Sequence, residues 1–327
     1  MTPAPGAGPA APAATDGHER QRPRIAVTLG DPRGIGPEVV ARALEDATLR
    51  AAADFRVVGP GGTELAPDVV TGAWSPDEGS ALAGKLAGAA IERVVKLALA
   101  GEVDGIVTAP IDKAALLAGG HDYLGHTEML AALTGAETAM MLASERLRVV
   151  LATTHVALRD VPRLLTADVI ERSARITRTG LAEWFGIADA RIALCAMNPH
   201  AGDGGRFGTE DDTLLAPAAR RAGLLGPFPA DTVFVRAIRG EFDAVIAPYH
   251  DVGMTAIKVA SFGSAVNVTL GLPFPRTSPD HGTALDIAGK GIADASSMIR
   301  AMQLCAEIVT RTAQSAKRKE QRGSKTQ

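Results

Sequence analysis

Three histidines follow short apolar runs in this sequence. His155 comes just after residues 147–153, His200 after residues 191–197 and His250 after residues 243–247. Each run reads as a strand, so each histidine falls near a strand's carboxyl end. Ligands in open α/β sheets gather beyond those ends. Three imidazoles delivered to one edge would hold a divalent metal and leave coordination positions open for a substrate. Zinc, cobalt, nickel, magnesium and manganese are the metals to consider. The alternative for each residue is an ordinary surface or hydrogen-bonded histidine, and no short-range H-E-x-x-H spacing links them.

Cations form a second group. Lys258 and Arg276 bracket the amide Asn267, and His126-Thr127 stands at the start of an expected helix. Together they would hold a phosphate: arginine as a bidentate fork, lysine as a point charge, Thr127 and backbone N–H groups at the helix terminus. The alternative is salt bridges with nearby acids such as Asp280. Asp112-Lys113 is a further pair, equally readable as a solvated face. A third group, residues 280–291, places Gly282 before a short helix and Asp286 where it would accept from a ribose hydroxyl. Much of this chemistry falls in residues 248–289, a stretch dense in glycine and proline that reads either as a built site or as an irregular connection.

The elements that must position these groups alternate. Residues 25–29 read as a strand. The turn 30–38 (GDPRGIGPE) leads into a helix with Pro37 in its first turn. That turn is either an anion cradle or a tight turn that needs glycine geometry. Ser75-Pro76-Asp77-Glu78 has the pattern of a capping box and predicts a helix to about residue 100. Residues 103–108, 138–143 and 147–153 read as further strands, and Thr166 caps a long helix. Thr209 to Asp212 predicts a helix start with its acids favoured by the helix dipole. A last helix covers about residues 293–313. Strands alternating with helices predict an α/β protein with a mostly parallel sheet.

Composition narrows the function classes. A net charge of −3 gives no field for nucleic acid or a membrane surface, and with 4% aromatic residues the core must be aliphatic. Cys195 and Cys305 lie far apart in apolar runs, which predicts buried thiols and a reducing, cytoplasmic setting. No apolar run approaches the ~20 residues of a membrane span. Residues 1–23, rich in alanine, proline and glycine, read as a disordered tail without signal-peptide features, and residues 315–327 as a second tail.

The segments GDPRGIGPE (30–38), GHTE (125–128), TTHVALRD (153–160), NPHAGDGG (198–205), PADT (229–232), YHD (249–251) and NVTLGLPFPRTSPDHGTALDIAGKG (267–291) occur in this order. In them the chain resembles the 4-hydroxythreonine-4-phosphate dehydrogenase family of vitamin B6 biosynthesis. The resemblance runs from residue 24 to about residue 313. The first and last segments are also similar to isocitrate and isopropylmalate dehydrogenases. This implies the isopropylmalate-dehydrogenase-like fold, with two α/β/α lobes and a cleft between them. It implies a first, nucleotide-side lobe of residues 24–127 plus 255–314 and a second, metal- and dimer-side lobe of residues 128–254.

The resemblance also implies roles. His155, His200 and His250 match the family's metal ligands, with His250 given to the neighbouring subunit's site in a homodimer. His126, Thr127, Lys258, Asn267 and Arg276 match substrate-binding positions. His281, Gly282, Thr283, Ala284 and Asp286 match the NAD-binding loop, with NADP the alternative cofactor. Lys258 and Asp251 are the candidates for taking the hydroxyl proton. The implied reaction is oxidation and decarboxylation of 4-phosphooxy-L-threonine to 3-amino-2-oxopropyl phosphate. Residues 113–126 look more like the branch acting on 4-phospho-D-threonate or D-erythronate, which would yield dihydroxyacetone phosphate. Arg33 stands where a small residue is expected. A metal hydrolase or lyase and a non-catalytic binder are the rival readings. The GHTE and arginine segments argue against the terephthalate dihydrodiol branch, whose substrate has no phosphate.

Overall fold

Strands buried on both faces need continuous apolar runs rather than alternation. Ile25, Ala26 and Val27 are such a run, and so are Val245, Ile246 and Ala247; all six are fully buried. The computed structural model describes residues 22–261 and 263–323. Among the described residues the strands are β1 (Arg24–Thr28), β2 (Asp54–Gly61), β3 (Val69–Ala73), β4 (Gly105–Thr108), β5 (Ala139–Ala143), β6 (Arg148–Leu151), β7 (Ile192–Cys195), β8 (Leu225–Phe228), β9 (Ala244–Ala247), β10 (Val266–Leu270) and β11 (Arg276–Pro279). The helices are α1 (Gly36–Glu45), α2 (Ala47–Ala52), α3 (Ser80–Leu99), α4 (Lys113–Ala118), α5 (His126–Thr134), α6 (Val161–Leu164), α7 (Ala167–Trp184), α8 (Ala216–Ala222), α9 (Ala230–Ile238), α10 (His250–Ser261) and α11 (Ser296–Gly323).

All eleven strands join one sheet, in the order β3-β2-β1-β4-β11-β10-β5-β6-β9-β7-β8. The β3-to-β11 half is parallel throughout, and so is the β6-to-β8 half. Antiparallel pairs β11/β10, β10/β5 and β5/β6 join the halves. The chain therefore builds one half to β4, crosses by β5 and β6, builds the other to β9, and returns as β10, β11 and α11. One aliphatic core runs through both halves, from Ile25 and Ile106 to Ile192 and Ile246. No helix of the described residues is long and apolar enough to cross a membrane.

Thr166 caps α7 as expected, its hydroxyl accepting from the Val169 amide. The helix expected from residues 209–212 does begin there: the chain is helical from residue 210, and a π-helical turn, Asp211–Leu215, with Asp211 and Asp212 in its first turn, runs into α8. Asp211 is also fully buried and accepts from the amides of Met197 and Asn198. Two expectations change. Residues 75–78 form a turn instead of a helix cap: the Glu78 amide donates to the Ser75 carbonyl, and α3 starts at Ser80 after an extended Gly79. Pro76 suits that turn's second position. The last helix continues to Gly323, because residues 314–322 are mostly good helix formers. It thus takes in most of the expected C-terminal tail. Of the two readings of residues 248–289, the irregular connection does not hold for half of them, which α10, β10 and β11 occupy.

The expected N-terminal tail lies outside the described residues up to position 21. Arg22 and Pro23 are already docked, Arg22 on the Ala53 carbonyl and Asp54, and Pro23 by its carbonyl on the Asp54 amide.

Candidate active site

A cavity of about 370 Å³ opens over the middle of the sheet. Its walls come from adjoining strands: Thr108 on β4, Arg276 and Ser278 on β11, Asn267 on β10 and Met140 on β5. Helices α4, α5 and α10 add Lys113, His126, Thr127, Glu128 and Lys258, and the loops add His155, Asp280, His281 and Gly282. The five residues expected to hold substrate thus share one cavity, although up to 150 residues separate them along the chain.

Arg276 is the largest fully buried side chain, 1% exposed. Its two terminal nitrogens donate to the hydroxyls of Thr269, at 2.9 Å, and Thr108, at 2.6 Å. Its Nε has no partner, and among the described residues it forms no ion pair. Burial pulls the guanidinium down to about 9, partly offset by Glu128, so it remains a cation at neutral pH. A buried cation without a counter-ion is strongly unfavourable, and an anionic ligand relieves it. His126 Nε2, Asn267 Oδ1 and His281 Nε2 are likewise buried without partners, and all three residues line the same cavity. Four unsatisfied polar groups around one cavity are the mark of a ligand site. Burial, with Arg276 and Lys113 adding to it, holds His126 well below the ordinary histidine range. It is therefore a neutral imidazole that offers directional hydrogen bonds.

Lys258 forms the salt bridge that was its alternative reading: Nζ lies 3.2 Å from Asp280. Burial raises the Asp280 carboxyl above its ordinary range, and Lys258 opposes that rise. Asp112 does not pair with Lys113; it caps α4 by accepting from the Ala115 amide. Lys113, with no ion-pair partner among the described residues, faces the cavity alone. Sequence reasoning passed over Thr108, Glu128 and Ser278. Glu128, inside the GHTE segment, carried a usable signal; the strand residues Thr108 and Ser278 carried none.

The histidines divide. β6, β9 and β7 are parallel neighbours, so His155, His250 and His200 do emerge at one edge. The rings of His155 and His250 lie 5.6 Å apart between centroids. His200 stands apart, exposed, with its ring 6.2 Å from that of Phe207. Its loop is left-handed, with positive φ at His200, Ala201 and Asp203 as well as the intervening Gly202. Among the described residues no three His, Cys, Asp or Glu side chains converge on one metal position. Within the single chain His250 thus lies beside His155, and His200 is turned away from both. His250 Nδ1 is 2.8 Å from Asp251. A carboxylate only accepts, so Nδ1 carries the proton and Nε2 keeps the lone pair a metal requires. His155 is held below the ordinary histidine range, mainly by burial and then by Lys113. Imidazole nitrogens of this kind are donors that a divalent metal takes. Asp251 itself has an 82% exposed side chain and does not line the cavity.

The expected nucleotide loop starts at the cavity wall with His281 and Gly282 and then runs outward, with Asp286 exposed. A second cavity of about 620 Å³ adjoins the first through Lys258, Asp280 and His281, and continues to Ser296, Arg300 and Gln303 on α11.

The sequence profile described as "Pyridoxal phosphate biosynthetic protein PdxA" matches residues 31–305. A 4-hydroxythreonine-4-phosphate dehydrogenase of Geobacter metallireducens is 42% identical, covering 88% of this chain and 96% of that relative. A D-threonate 4-phosphate dehydrogenase of Cupriavidus necator is also 42% identical, covering 89% and 98%. The crystal structure of the Klebsiella pneumoniae 4-hydroxythreonine-4-phosphate dehydrogenase superposes with a TM-score of 0.78 at 38% identity, covering 88% of this chain and 98% of that one.

Proposed function

Because this chain belongs to the PdxA family of pyridoxal phosphate biosynthetic proteins, we infer that it is an NAD-dependent oxidoreductase acting on 4-phosphooxy-L-threonine. It oxidises the secondary hydroxyl and releases carbon dioxide, giving 3-amino-2-oxopropyl phosphate for pyridoxal phosphate synthesis. One observation carries the reading: a fully buried Arg276 without a carboxylate partner, set among unsatisfied polar atoms in a cavity of about 370 Å³.

Arg276 and Lys113 supply charge for the phosphate and carboxylate ends of the acid. Asn267, Thr127 and neutral His126 fix its orientation by hydrogen bonds. Lys258, poised between the cavity and Asp280, takes the proton of the hydroxyl once its own ammonium proton has passed to the Asp280 carboxylate, whose proton affinity burial raises. Asp251 orients His250 instead of acting as the base. The residues from His281 to Asp286 hold NAD, which accepts the hydride when bound. A divalent metal such as zinc held by His155 and His200, with His250 supplied across the interface of a homodimer, would polarise the substrate's oxygens.

The Cupriavidus necator relative supports a second reading, oxidation of 4-phospho-D-threonate or D-erythronate to dihydroxyacetone phosphate. These acids carry a hydroxyl where 4-phosphooxy-L-threonine carries an amine. Initial rates of NADH formation with the three acids, metal and NAD decide between them. The highest kcat/KM identifies the substrate, and no NADH with any of them would overturn both readings.

A further inference from the structure

The first glycine-rich turn of the chain has the composition of an anion cradle, yet its amides are already used. The Asp31 amide donates to the Pro110 carbonyl, Arg33 to its neighbour Asp31 Oδ1, Gly34 to the Asp31 carbonyl and Ile35 to the Thr283 carbonyl at 2.9 Å. Pro32 has no N–H. From Asp31 to Ile35 every backbone amide is thus engaged within the protein, and one of them reaches into the 281–286 loop.

Two further contacts reach the same loop from α1. Glu38, 7% exposed, accepts from the Ala293 amide at 3.0 Å. Arg42 donates to the Ala293 carbonyl at 2.7 Å and to the Gly291 carbonyl, and its guanidinium lies 3.2 Å from Glu38. The loop is thus tied at Thr283 on one side and at Gly291 and Ala293 on the other. Between the ties, among the described residues, it has the turn bonds Ile287 to Ala284 and Lys290 to Ile287, while Ala284, Ile287 and Ala288 rest against the core. Leu285 and Ile292 are exposed, 45% and 64%. Ala284 holds φ +42°, a left-handed conformation that costs an L-residue about 1 kcal/mol or more and persists only where its surroundings enforce it. Gly34 packs so closely on Thr283 that a Cβ there would sit 2.8 Å from the Thr283 carbonyl oxygen.

We propose that residues 34–42 are a clamp that holds the 281–293 loop in its cofactor-binding shape, with Glu38 and Arg42 as positioning residues and Gly34 as the contact that admits Thr283. This rests on the reading of that loop as the NAD site. The ties begin at Thr283, past the His281 and Gly282 that line the substrate cavity, so their loss should act chiefly on cofactor binding. If the competent loop falls to roughly a tenth of the population, the apparent affinity for NAD falls about tenfold.

The test is steady-state kinetics of Arg42→Ala, Arg42→Lys, Glu38→Gln and Gly34→Ala in the full chain, with hydrogen exchange of residues 284–292. Arg42 has a 40% exposed side chain, so Arg42→Ala leaves the core intact. Arg42→Ala should raise KM for NAD about tenfold or more, with kcat within about threefold and KM for the phosphorylated acid within about twofold. Exchange at 284–292 should quicken while α1 is unchanged. Glu38→Gln keeps the acceptor for Ala293 and should recover most of the affinity; Arg42→Lys, with a single nitrogen, should recover part. Gly34→Ala should match Arg42→Ala without any change in charge. An unchanged KM for NAD with unchanged exchange overturns the clamp, and so does an equal rise in both KM values. A wild-type chain without NADH formation removes the NAD reading, while the exchange measurement still decides whether the clamp holds the loop.

Discussion

Arg276 separates stability from function. It is 1% exposed, and its hydrogen bonds go only to the hydroxyls of Thr108 and Thr269. In the free protein this buried charge is uncompensated. Replacing such a group with an apolar side chain of similar length stabilises by about 1–4 kcal/mol. Losing the bonds to two hydroxyls takes part of that back, at about 1 kcal/mol each. Arg276→Met should therefore lie between about 1 kcal/mol less and about 2 kcal/mol more stable than the wild type, a shift of at most a few degrees in the melting midpoint of a chain this size. Activity should fall steeply. The free Nε and the remaining N–H groups would give an anionic substrate two charge-assisted bonds, worth about 3–5 kcal/mol together. That predicts a 10²–10³-fold loss in kcat/KM, roughly one decade per 1.4 kcal/mol. Scanning calorimetry of the apoprotein and NADH initial rates read the two quantities. A variant that melts several degrees lower while keeping its kcat/KM would refute the reasoning, because Arg276 would then be a structural cation.

Other consequences can be measured separately. If His250 completes the site that His155 and His200 begin in the other subunit, mixing His155→Ala with His250→Ala subunits should restore one of the two sites in each mixed dimer; two inactive parents that stay inactive on mixing would exclude a shared site. Asp251→Ala should weaken metal binding about tenfold by freeing the His250 ring, read by metal titration. Burial pushes Asp243 up, but hydrogen bonds from the Arg191 backbone and guanidinium, with the nearby Arg148, bring it net below the ordinary carboxylate range. Its contribution is therefore complete above the unfolded-state pKa of about 4 and is lost as pH falls through the lower folded value. Asp243→Asn should cost about 1–2 kcal/mol at pH 7 and flatten the acid limb of the stability curve in urea titrations. Cys195 and Cys305 are fully buried with thiols pushed to about 12, so neither should react with a thiol reagent at pH 8 until the chain unfolds.

Much of this protein is legible in its sequence because the signals are local. Aliphatic runs such as 25–27 and 244–247 mark buried strands, Thr166 marks a helix start, and a histidine just past a strand falls at the sheet edge wherever that strand lies. The types of chemistry follow in the same way: imidazoles for a metal, and cations with an amide for a phosphorylated acid. The partners of each group depend on strand order, which no local pattern encodes. β6 lies beside β9, and this brings His155 to His250; the left-handed backbone at 200–203 then turns His200 away. Arg276 is a cation like any other in the sequence. It becomes a ligand site only because β11 inserts between β4 and β10 and buries it against Thr108 and Thr269. The GDPRGIGPE turn shows the same limit, since its glycines serve either an anion or close packing. Folding chooses packing, because α1 meets the 281–293 loop some 250 residues further along the chain, and the turn's amides bond Pro110, Asp31 and, through Ile35, that loop instead of a phosphate.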